Sequence, residues 1–377
     1  MKKFDLGIIG GGLAGLASAI EMSRKGFEVV LWEKKTYPYH KVCGEYISME
    51  AWEYLKFLGV DLDELNLPRI HNLKVSTPSG RLLEHQLGLG GFGISRYCLD
   101  AKLAQLAKAA GVKLLTNCRV TDVHYENDQH LVKSEQGDFE VKLLVGAYGK
   151  RSQLDKKWQR KFIQKPLPAD RNFTAVKYHI EANLPAHEIG LHLFEGGYCG
   201  ISKVEGENRY CLCYLTLASS LQEAGGIEPF EQKIMSQNPL LEKYLNFPSL
   251  YEKPEVISQI NFNSKSKVQN HAFMLGDSAG LIVPLCGNGM SMALHAAHLW
   301  SDLAEAFLHH KKSREELERE YERTWRQTFA RRLWVGRQLQ KLFYRLAWSE
   351  RAISVLNQFP SLKGKLIQQT HGKPFYP

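Results

Sequence analysis

The run FDLGIIGGGLAGLASAIEMSRKGFEVVLWEKK, residues 4 to 35, constrains the fold more than any other stretch of the chain. Phe4 to Ile9 is a short apolar run stopped by glycine, as a buried parallel strand requires. Gly10, Gly12 and Gly15 follow at the spacing G-x-G-x-x-G, and Leu16, Ile20 and Met22 mark a helix directly after them. Gly10 permits the tight turn out of the strand, Gly12 leaves room for a pyrophosphate, and Gly15 lets helix and strand approach. The unpaired amides and positive dipole end of that helix face the diphosphate. Gly26 ends the helix, and Phe27 to Trp32 form a second buried strand closing on Glu33. An acid about 20 positions beyond the glycines is what a pair of ribose hydroxyls needs. This ordered succession predicts a bound dinucleotide. Glu33 disfavours a 2′-phosphate, which leaves FAD or NAD.

At 377 residues the chain can form two lobes around a large core. It has no run of about 18 apolar residues, so no transmembrane helix is expected. The opening Met-Lys-Lys-Phe-Asp reads as the first strand, not as a secretion signal. Seven cysteines, an odd number with no C-x-x-C pair, argue against a disulfide framework and a zinc site. A reducing, cytoplasmic setting is expected, with Cys211 and Cys213 as buried thiols on one strand face. His295 and His298 sit on a predicted helix with no companion ligand visible, so no metal is expected.

After Glu33, Tyr37 to Ser48 is a loop too long and mixed to be a plain connection. A helix is predicted near Glu50 to Leu58, and a strand pair around Pro78-Ser79-Gly80. A second long helix carries Leu99, Leu103, Leu106 and Ala110 on one face and ends at Gly111. Arg96 and Asp100 stand at its entry, where Asp100 complements the helix dipole. Val120 to Glu140 alternates like a β-meander, and Leu143 to Ala147 is another buried strand. From about Lys156 to Asn263 the chain becomes strand-rich, with Phe194 to Ser202 and Tyr210 to Thr216 read as a hairpin. At His271 it returns to its first style. The expected partition is a discontinuous first domain (1–61, 94–155 and 266–310), a second domain (62–93 and 156–265) and a helical region (311–377).

That last region predicts one long helix from Ser313 to Trp348, kinked near Gly336. Leu317, Tyr321, Trp325, Phe329 and Leu333 recur at steps of four as one apolar stripe. Five glutamates crowd residues 315–322, and Arg323 to Trp348 holds seven Lys or Arg and no acid, in a chain of net charge +9. Two readings stay open: a helix packed on the core with a solvated basic face, or a helix docked on an anionic membrane surface. Nucleic acid is not expected, because no aromatic-interleaved basic groove accompanies the helix.

Three separated segments together resemble the FAD-dependent oxidoreductases built like para-hydroxybenzoate hydroxylase, and within them the geranylgeranyl reductase family most closely. The first is the glycine motif with Glu33. The second is Gly276-Asp277 in LGDSAGLIVPLCGNGMSMAL, with Pro284, Gly287, Gly289 and Ala293. The third is Cys43-Gly44-Glu45 after Lys41, similar to the reductases' cysteine-glycine signature; Gly197-Tyr198 is similar as well. The resemblance implies an α/β fold. A Rossmann-like FAD-binding domain would carry a second, mostly antiparallel β-sheet substrate domain and a C-terminal helical arm. It implies FAD as cofactor and NADH or NADPH as reductant. It also implies cofactor contacts from Gly10, Gly12, Gly15, Glu33, Lys41, Arg96, Val120, Gly276, Asp277, Gly287 and Gly289. Asp277 would accept from a ribityl hydroxyl, and the helix opened by Gly287 to Gly289 would face the flavin N1–O2 edge, where reduction places negative charge. Arg96 either reaches the diphosphate or forms a surface ion pair. One departure stands out. Where the superfamily carries G-A-D-G, this chain has Gly146-Ala147-Tyr148-Gly149, which puts the nicotinamide docking mode in question.

A hydrophobic small-molecule substrate is expected between the flavin and the second sheet, beside Cys43, Tyr46, Tyr198 and Cys199. Cys43 is either a reactive thiol or a small wall residue. The leading reaction is hydroxylation of an aromatic, polyketide-like or lipid-like substrate. The alternative is saturation of isoprenoid or polyene double bonds, which the Cys-Gly signature favours. The Trp-x-Trp-x-Ile-Pro signature of flavin halogenases is not seen. A non-catalytic flavin- or lipid-binding protein is the third reading. The expected location is cytoplasmic, with possible contact at the inner membrane surface.

Overall fold

The computed structural model describes residues 1–164, 167–344, 346–369 and 372–376. The chain opens with β1 (Lys2–Ile9), α1 (Leu13–Arg24) and β2 (Val29–Trp32), then β3 (Tyr46–Ser48) and α2 (Trp52–Phe57). A hairpin of β4 (Arg69–Ser76) and β5 (Leu82–Gly93) leads into α3 (Arg96–Ala109) and β6 (Lys113–Leu115). The meander is β7 (Val120–Glu126), β8 (Gln129–Ser134) and β9 (Gly137–Gly146), followed by the short α4 (Gln153–Lys157). Four strands come next: β10 (Phe173–Glu181), β11 (Glu188–Phe194), β12 (Gly197–Lys203) and β13 (Arg209–Leu217). Then follow α5 (Ala218–Ala224), α6 (Ile227–Lys233), α7 (Pro239–Leu245) and β14 (Glu255–Ile260). The chain ends with β15 (Val268–Gln269), β16 (Ala272–Met274), α8 (Gly289–Leu308), α9 (Arg314–Phe343), α10 (Leu346–Gln358) and α11 (Pro360–Gln368).

The first sheet has the order β15-β16-β9-β1-β2-β6, with β7 and β8 joined through β9. β1 pairs in parallel with β2 and β9, bringing Ile9 opposite both Trp32 and Gly146. Apolar burial on both faces, the condition for parallel strands, comes from α1, α3 and α8 in the largest core cluster. The second sheet runs β14-β10-β13-β12-β11-β4-β5-β3. It is antiparallel except where β11 meets β4. One face packs with α6 and α7 in a cluster that includes Phe194, Tyr214 and Phe230. The other packs Phe173, Tyr198 and Leu215 with Leu281 and with Ile353 of α10.

Three expectations change. Tyr46–Ser48 lies within the sequence span assigned to the first domain, but it pairs with β5 at the edge of the second sheet. The loop before it therefore crosses between the two. Phe194 ends β11 rather than opening a hairpin strand. Glu195-Gly196 makes a two-residue turn, with Gly196 at φ +79, and Phe194 sits opposite Gly197. The hairpin through 204–208 joins β12 to β13. Finally, α9 passes Gly336 as continuous helix and stops at Phe343; Trp348 belongs to α10, and Arg345 lies outside the described residues. An interior glycine costs a helix only about 1 kcal/mol against alanine, and the buried stripe outweighs that. Leu317, Tyr321, Trp325, Phe329 and Leu333 are all buried, and the Tyr321 hydroxyl donates to the Met274 carbonyl at 2.6 Å. A reciprocal Ser313–Glu316 capping box starts the helix. The stripe packs on the core, and the basic face of the helix lies outward.

Inside the second domain a polar trio is sealed from water. His192 Nδ1 lies 2.7 Å from Ser76 Oγ, and Asn238 donates to Ser76 and to the Leu193 carbonyl. Burial, with Lys74 nearby, pushes the His192 ring down to about 3. The folded ring stays neutral, whereas the unfolded ring takes up a proton below about 6.5. Its contribution is therefore complete at neutral pH and is lost as pH falls from about 6.5 towards 3. His192→Gln should lower stability at pH 7 and flatten the dependence of unfolding free energy on pH between 6 and 4 by up to about 1.4 kcal/mol per unit. Denaturant melts across that range check it, and an unchanged slope would show that the ring titrates in the folded state.

Candidate functional site

The glycine turn is built as its spacing demands. Gly10 sits at φ +106, and a Cβ there would stand 2.6 Å from the Ala147 carbonyl oxygen. A Cβ at Gly15 would lie 2.0 Å from the Gly10 carbonyl oxygen, so only glycine lets α1 approach the strand so closely. Gly12 is open, and the nearest groups to its ideal Cβ are Arg96 Nη2 at 3.7 Å and Lys41 Nζ at 3.9 Å. Two cations thus flank the turn. Both are held by Asp100, which takes Arg96 Nε and Nη2 at 2.8 Å each and Lys41 Nζ at 2.7 Å. Burial works against the Asp100 carboxylate, but Arg96 and Lys41 outweigh it and keep its pKa below the ordinary range. The cluster carries a net single positive charge towards the turn, which suits a diphosphate.

This corrects two readings. Asp100 does not serve the helix N-terminus; Ser95 caps α3, its Oγ accepting from the Cys98 amide at 3.1 Å. Arg96 is not in a surface ion pair, since its side chain is 14% exposed and that of Asp100 only 2%.

At the other end of the turn, Glu33 Oε2 accepts from the Gly11 amide at 2.8 Å and Oε1 from the Lys35 amide at 3.0 Å. A carboxylate offers about four lone-pair positions, so acceptor capacity remains for ribose hydroxyls. Tyr37 donates to the Gly11 carbonyl at 2.6 Å and closes over the loop. Val120 begins β7 two residues after Cys118, whose amide donates to the Glu33 carbonyl at 3.0 Å. That places Val120 at the edge of this end.

The third segment runs beneath the second sheet. Gly276 and Gly287 take left-handed conformations at φ +59 and +61, and α8 starts at Gly289. Asp277 is half-buried, and its carbonyl accepts from Lys265 Nζ at 2.7 Å. A Cβ at Gly287 would stand 3.1 Å from the Tyr46 ring. The Tyr46 hydroxyl is buried and meets no partner among the described residues. Burial raises its pKa, so the phenol stays protonated. The Tyr198 hydroxyl accepts from the Leu285 amide at 2.8 Å. Tyr46 and Tyr198 therefore both touch the 284–289 turn. Cys43 is half-buried, and its carbonyl accepts from the Cys211 thiol at 3.3 Å. Cys199 does not join them. Strand alternation turns it to the opposite face, among Phe194, Tyr214 and Phe230.

Sequence reasoning missed the densest charge cluster. Glu45, fully buried at φ +56, accepts from Lys177 Nζ at 2.6 Å and from the Arg96 amide at 2.9 Å, and its second oxygen lies 2.6 Å from His179 Nε2. The available signal was faint: Lys177 and His179 are two apart on β10 and so share a face. A second omission concerns His298, which does have acidic company. Glu21 lies 3.2 Å from its Nδ1 and Asp302 3.9 Å from its Nε2, with Lys25 salt-bridged to both acids. Tyr148, standing in the place of an aspartate, is also committed. Its hydroxyl donates to Asp155 at 2.8 Å and accepts from Arg160 at 3.1 Å.

These features fit FAD. The glycine cradle and the Arg96–Lys41 pair suit a diphosphate, and Glu33 suits a ribose. The sequence matches the family described as FAD binding domain over residues 3–333. It is 22% identical over 370 residues to conditioned medium factor receptor 1 of Dictyostelium discoideum, covering 91% of this chain and 71% of that protein. It is 23% identical over 362 residues to digeranylgeranylglycerophospholipid reductase 1 of Methanococcoides burtonii, covering 92% and 85%. The structure of the flavin-dependent brominase Bmp2 superposes with a TM-score of 0.80 at 17% identity, over 98% of this chain and 93% of that one.

Glu33→Ala removes the ribose acceptor and should weaken FAD binding by about 1–3 kcal/mol, the usual loss for a charged hydrogen bond. Titration of the deflavinated protein with FAD, read by flavin fluorescence, checks it. Undiminished affinity would place the ribose elsewhere.

Proposed function

The chain belongs to the FAD binding domain family, and on that premise we propose that it reduces a carbon–carbon double bond in a hydrophobic, isoprenoid-like substrate. FAD-dependent oxidoreduction is the family's activity; the substrate and the direction of chemistry are the proposal. The observation that carries it is the seating of Cys43-Gly44-Glu45-Tyr46. This loop is tied to the second sheet through Glu45 and Lys177, to α3 through the Arg96 amide, and to the flavin segment through Tyr46 and Gly287. Beside the flavin segment the loop therefore presents a protonated phenol, while its one carboxylate, Glu45, is held by Lys177, His179 and the Arg96 amide.

The flavin, once reduced, would supply the hydride. Saturating a double bond also needs one proton. Tyr46 rests its ring edge against Gly287 in the turn that opens α8, and its phenol has no competing acceptor among the described residues. Glu45 cannot act as that donor, because Lys177, His179 and the Arg96 amide already occupy its oxygens. Its work is to fix the loop. The lipid reductase relative, similar across 92% of this chain, supports the isoprenoid class. The likeness to the brominase, at 17% identity, speaks to fold alone and adds no weight to oxygenation. Tyr148 is bound by Asp155 and Arg160 and is not free to receive a nicotinamide, so NADH or NADPH would dock by other groups.

Chemically reduced holoenzyme, mixed without oxygen with a geranylgeranyl-bearing lipid, should return product heavier by two hydrogens. Tyr46→Phe should slow that step by about 100-fold, in the range for loss of a general acid, with FAD affinity unchanged. Turnover only in the presence of oxygen, with labelled oxygen in the product, would overturn the reading in favour of hydroxylation.

A further inference from the structure

A cavity of about 260 Å³ lies between the 262–267 segment, Gly280-Leu281 and one side of α9. Lys265, Lys267, Arg326 and Arg337 line it against a single acid, Glu322, which is tied to Arg326 at 3.1 Å. The two lysines are more than nine-tenths buried. Lys265 Nζ donates to the carbonyls of Lys150 and Asp277, and Lys267 Nζ to those of Lys265 and Ala279 while resting 3.9 Å from the Trp325 ring. Burial pushes Lys265 down to about 8 and Lys267 to about 7. An anion in the cavity would draw both back to full charge. Arg337 pairs with no carboxylate among the described residues. A cavity with this excess of cations is built for an anionic group, and arginine suits a phosphate best.

The surface around it narrows the source of that phosphate. The outward face of α9 carries Arg323, Arg331, Trp334 and Lys341 at helical spacing, all exposed. Trp334, 58% exposed, stands one turn beyond Ala330, which lines the cavity, so it borders the mouth. On α10, Ser349 and Ile353 face inward, and Trp348, Val355 and the following Phe359 recur seven and four residues apart, each about half exposed. Exposed tryptophans and phenylalanine among arginines are the composition of a helix lying in a membrane interface, the aromatics inserted and the cations at headgroup level. No helix among the described residues is long and apolar enough to cross a membrane.

We propose that the outer faces of α9 and α10 dock on an anionic phospholipid bilayer, with a lipid phosphate entering the cavity between Arg326, Arg337 and the two lysines. This goes beyond the flavin chemistry, and its test needs neither substrate nor turnover. Holoprotein is sedimented with vesicles of phosphatidylcholine alone or mixed with phosphatidylglycerol. At low salt it should pellet with the mixed vesicles and be released as salt rises. Arg326→Glu with Arg337→Glu should cut the apparent affinity by at least about tenfold, the loss expected for one charged hydrogen bond. Trp334→Ser with Trp348→Ser and Phe359→Ser should cut it comparably. All five side chains reach the surface, and retained flavin absorbance shows that the variants fold. Wild-type protein left in the supernatant at low salt overturns the proposal, as does a charge-reversed variant that pellets like wild type. Inorganic phosphate held in equilibrium dialysis, without vesicle binding, would assign the cavity to a soluble phosphate and equally refute docking.

Discussion

The joint between the two sheets depends on one buried carboxylate. Glu45 sits in a left-handed conformation that a non-glycine residue rarely takes. It is kept there because its oxygens receive Lys177 and His179 from β10 and the Arg96 amide from the start of α3. Burial opposes its charge, but His179 and Lys177 prevail and hold its pKa below the ordinary carboxylate range. A buried pair of this kind adds little net stability over an apolar filling, whereas removing one partner costs about 3–5 kcal/mol. Its value is positional. With Glu45 holding the Arg96 amide, the start of α3 is fixed against the loop, and the i,i+4 pair Arg96–Asp100 on that helix brings Lys41 to the glycine turn. The start of α3, which carries Arg96 and Asp100, and the loop that carries Lys41 and Tyr46 are thus held by the same residue.

The flavin segment is held from below by a different device. Lys265 and Lys267 each give one of their donors to the carbonyls of Asp277 and Ala279, and Arg160 donates to the Ser278 carbonyl at 2.9 Å. Three successive carbonyls are thereby turned away from the cofactor side. Gly280 lies under α9, where a Cβ would meet the Trp325 ring at 2.9 Å. The C-terminal arm therefore does more than cover apolar surface. Its buried stripe presses on the segment that shapes the flavin end, and its outer face is left to carry arginines and tryptophan. One helix joins the surface to the site.

What could be read from the sequence was what is local. The glycine turn, Glu33 and the five-residue stripe of α9 each lie within a few turns or one βαβ unit, so spacing alone exposes them. The Glu45 cluster could not be read that way, because Glu45 and Lys177 are 132 residues apart and nothing near either one names the other. Asp100 was misplaced because an acid near a helix start reads equally well as a dipole partner or an ion-pair partner, and only Arg96 and Lys41 in space decide between them. Cys199 failed on parity. Tyr198 and Cys199 are neighbours on β12 and must face opposite ways, and the inward face is chosen by the contact of Tyr198 with Leu285, which no local pattern records.

Tyr148, which stands where the resemblance leads one to expect an aspartate, is built into a buried polar cluster. Its hydroxyl lies between Asp155 and Arg160, which pair at 3.0 Å while both are almost fully buried. Asp155 also closes a capping box with Ser152 at the start of α4. A second aspartate at position 148 would set two carboxylates around one guanidinium in a site with little water, and like charges so close raise the cost of ionising either. A phenol avoids this: it donates to one partner, accepts from the other and adds no charge. The acid next to this turn is thus Asp155, seven residues on, with Tyr148 bridging the gap. Through Arg160 the pair is bonded to the carbonyls of Ser266 and Ser278. The turn after β9 is therefore locked to the flavin segment by a neutral hydroxyl and one buried ion pair.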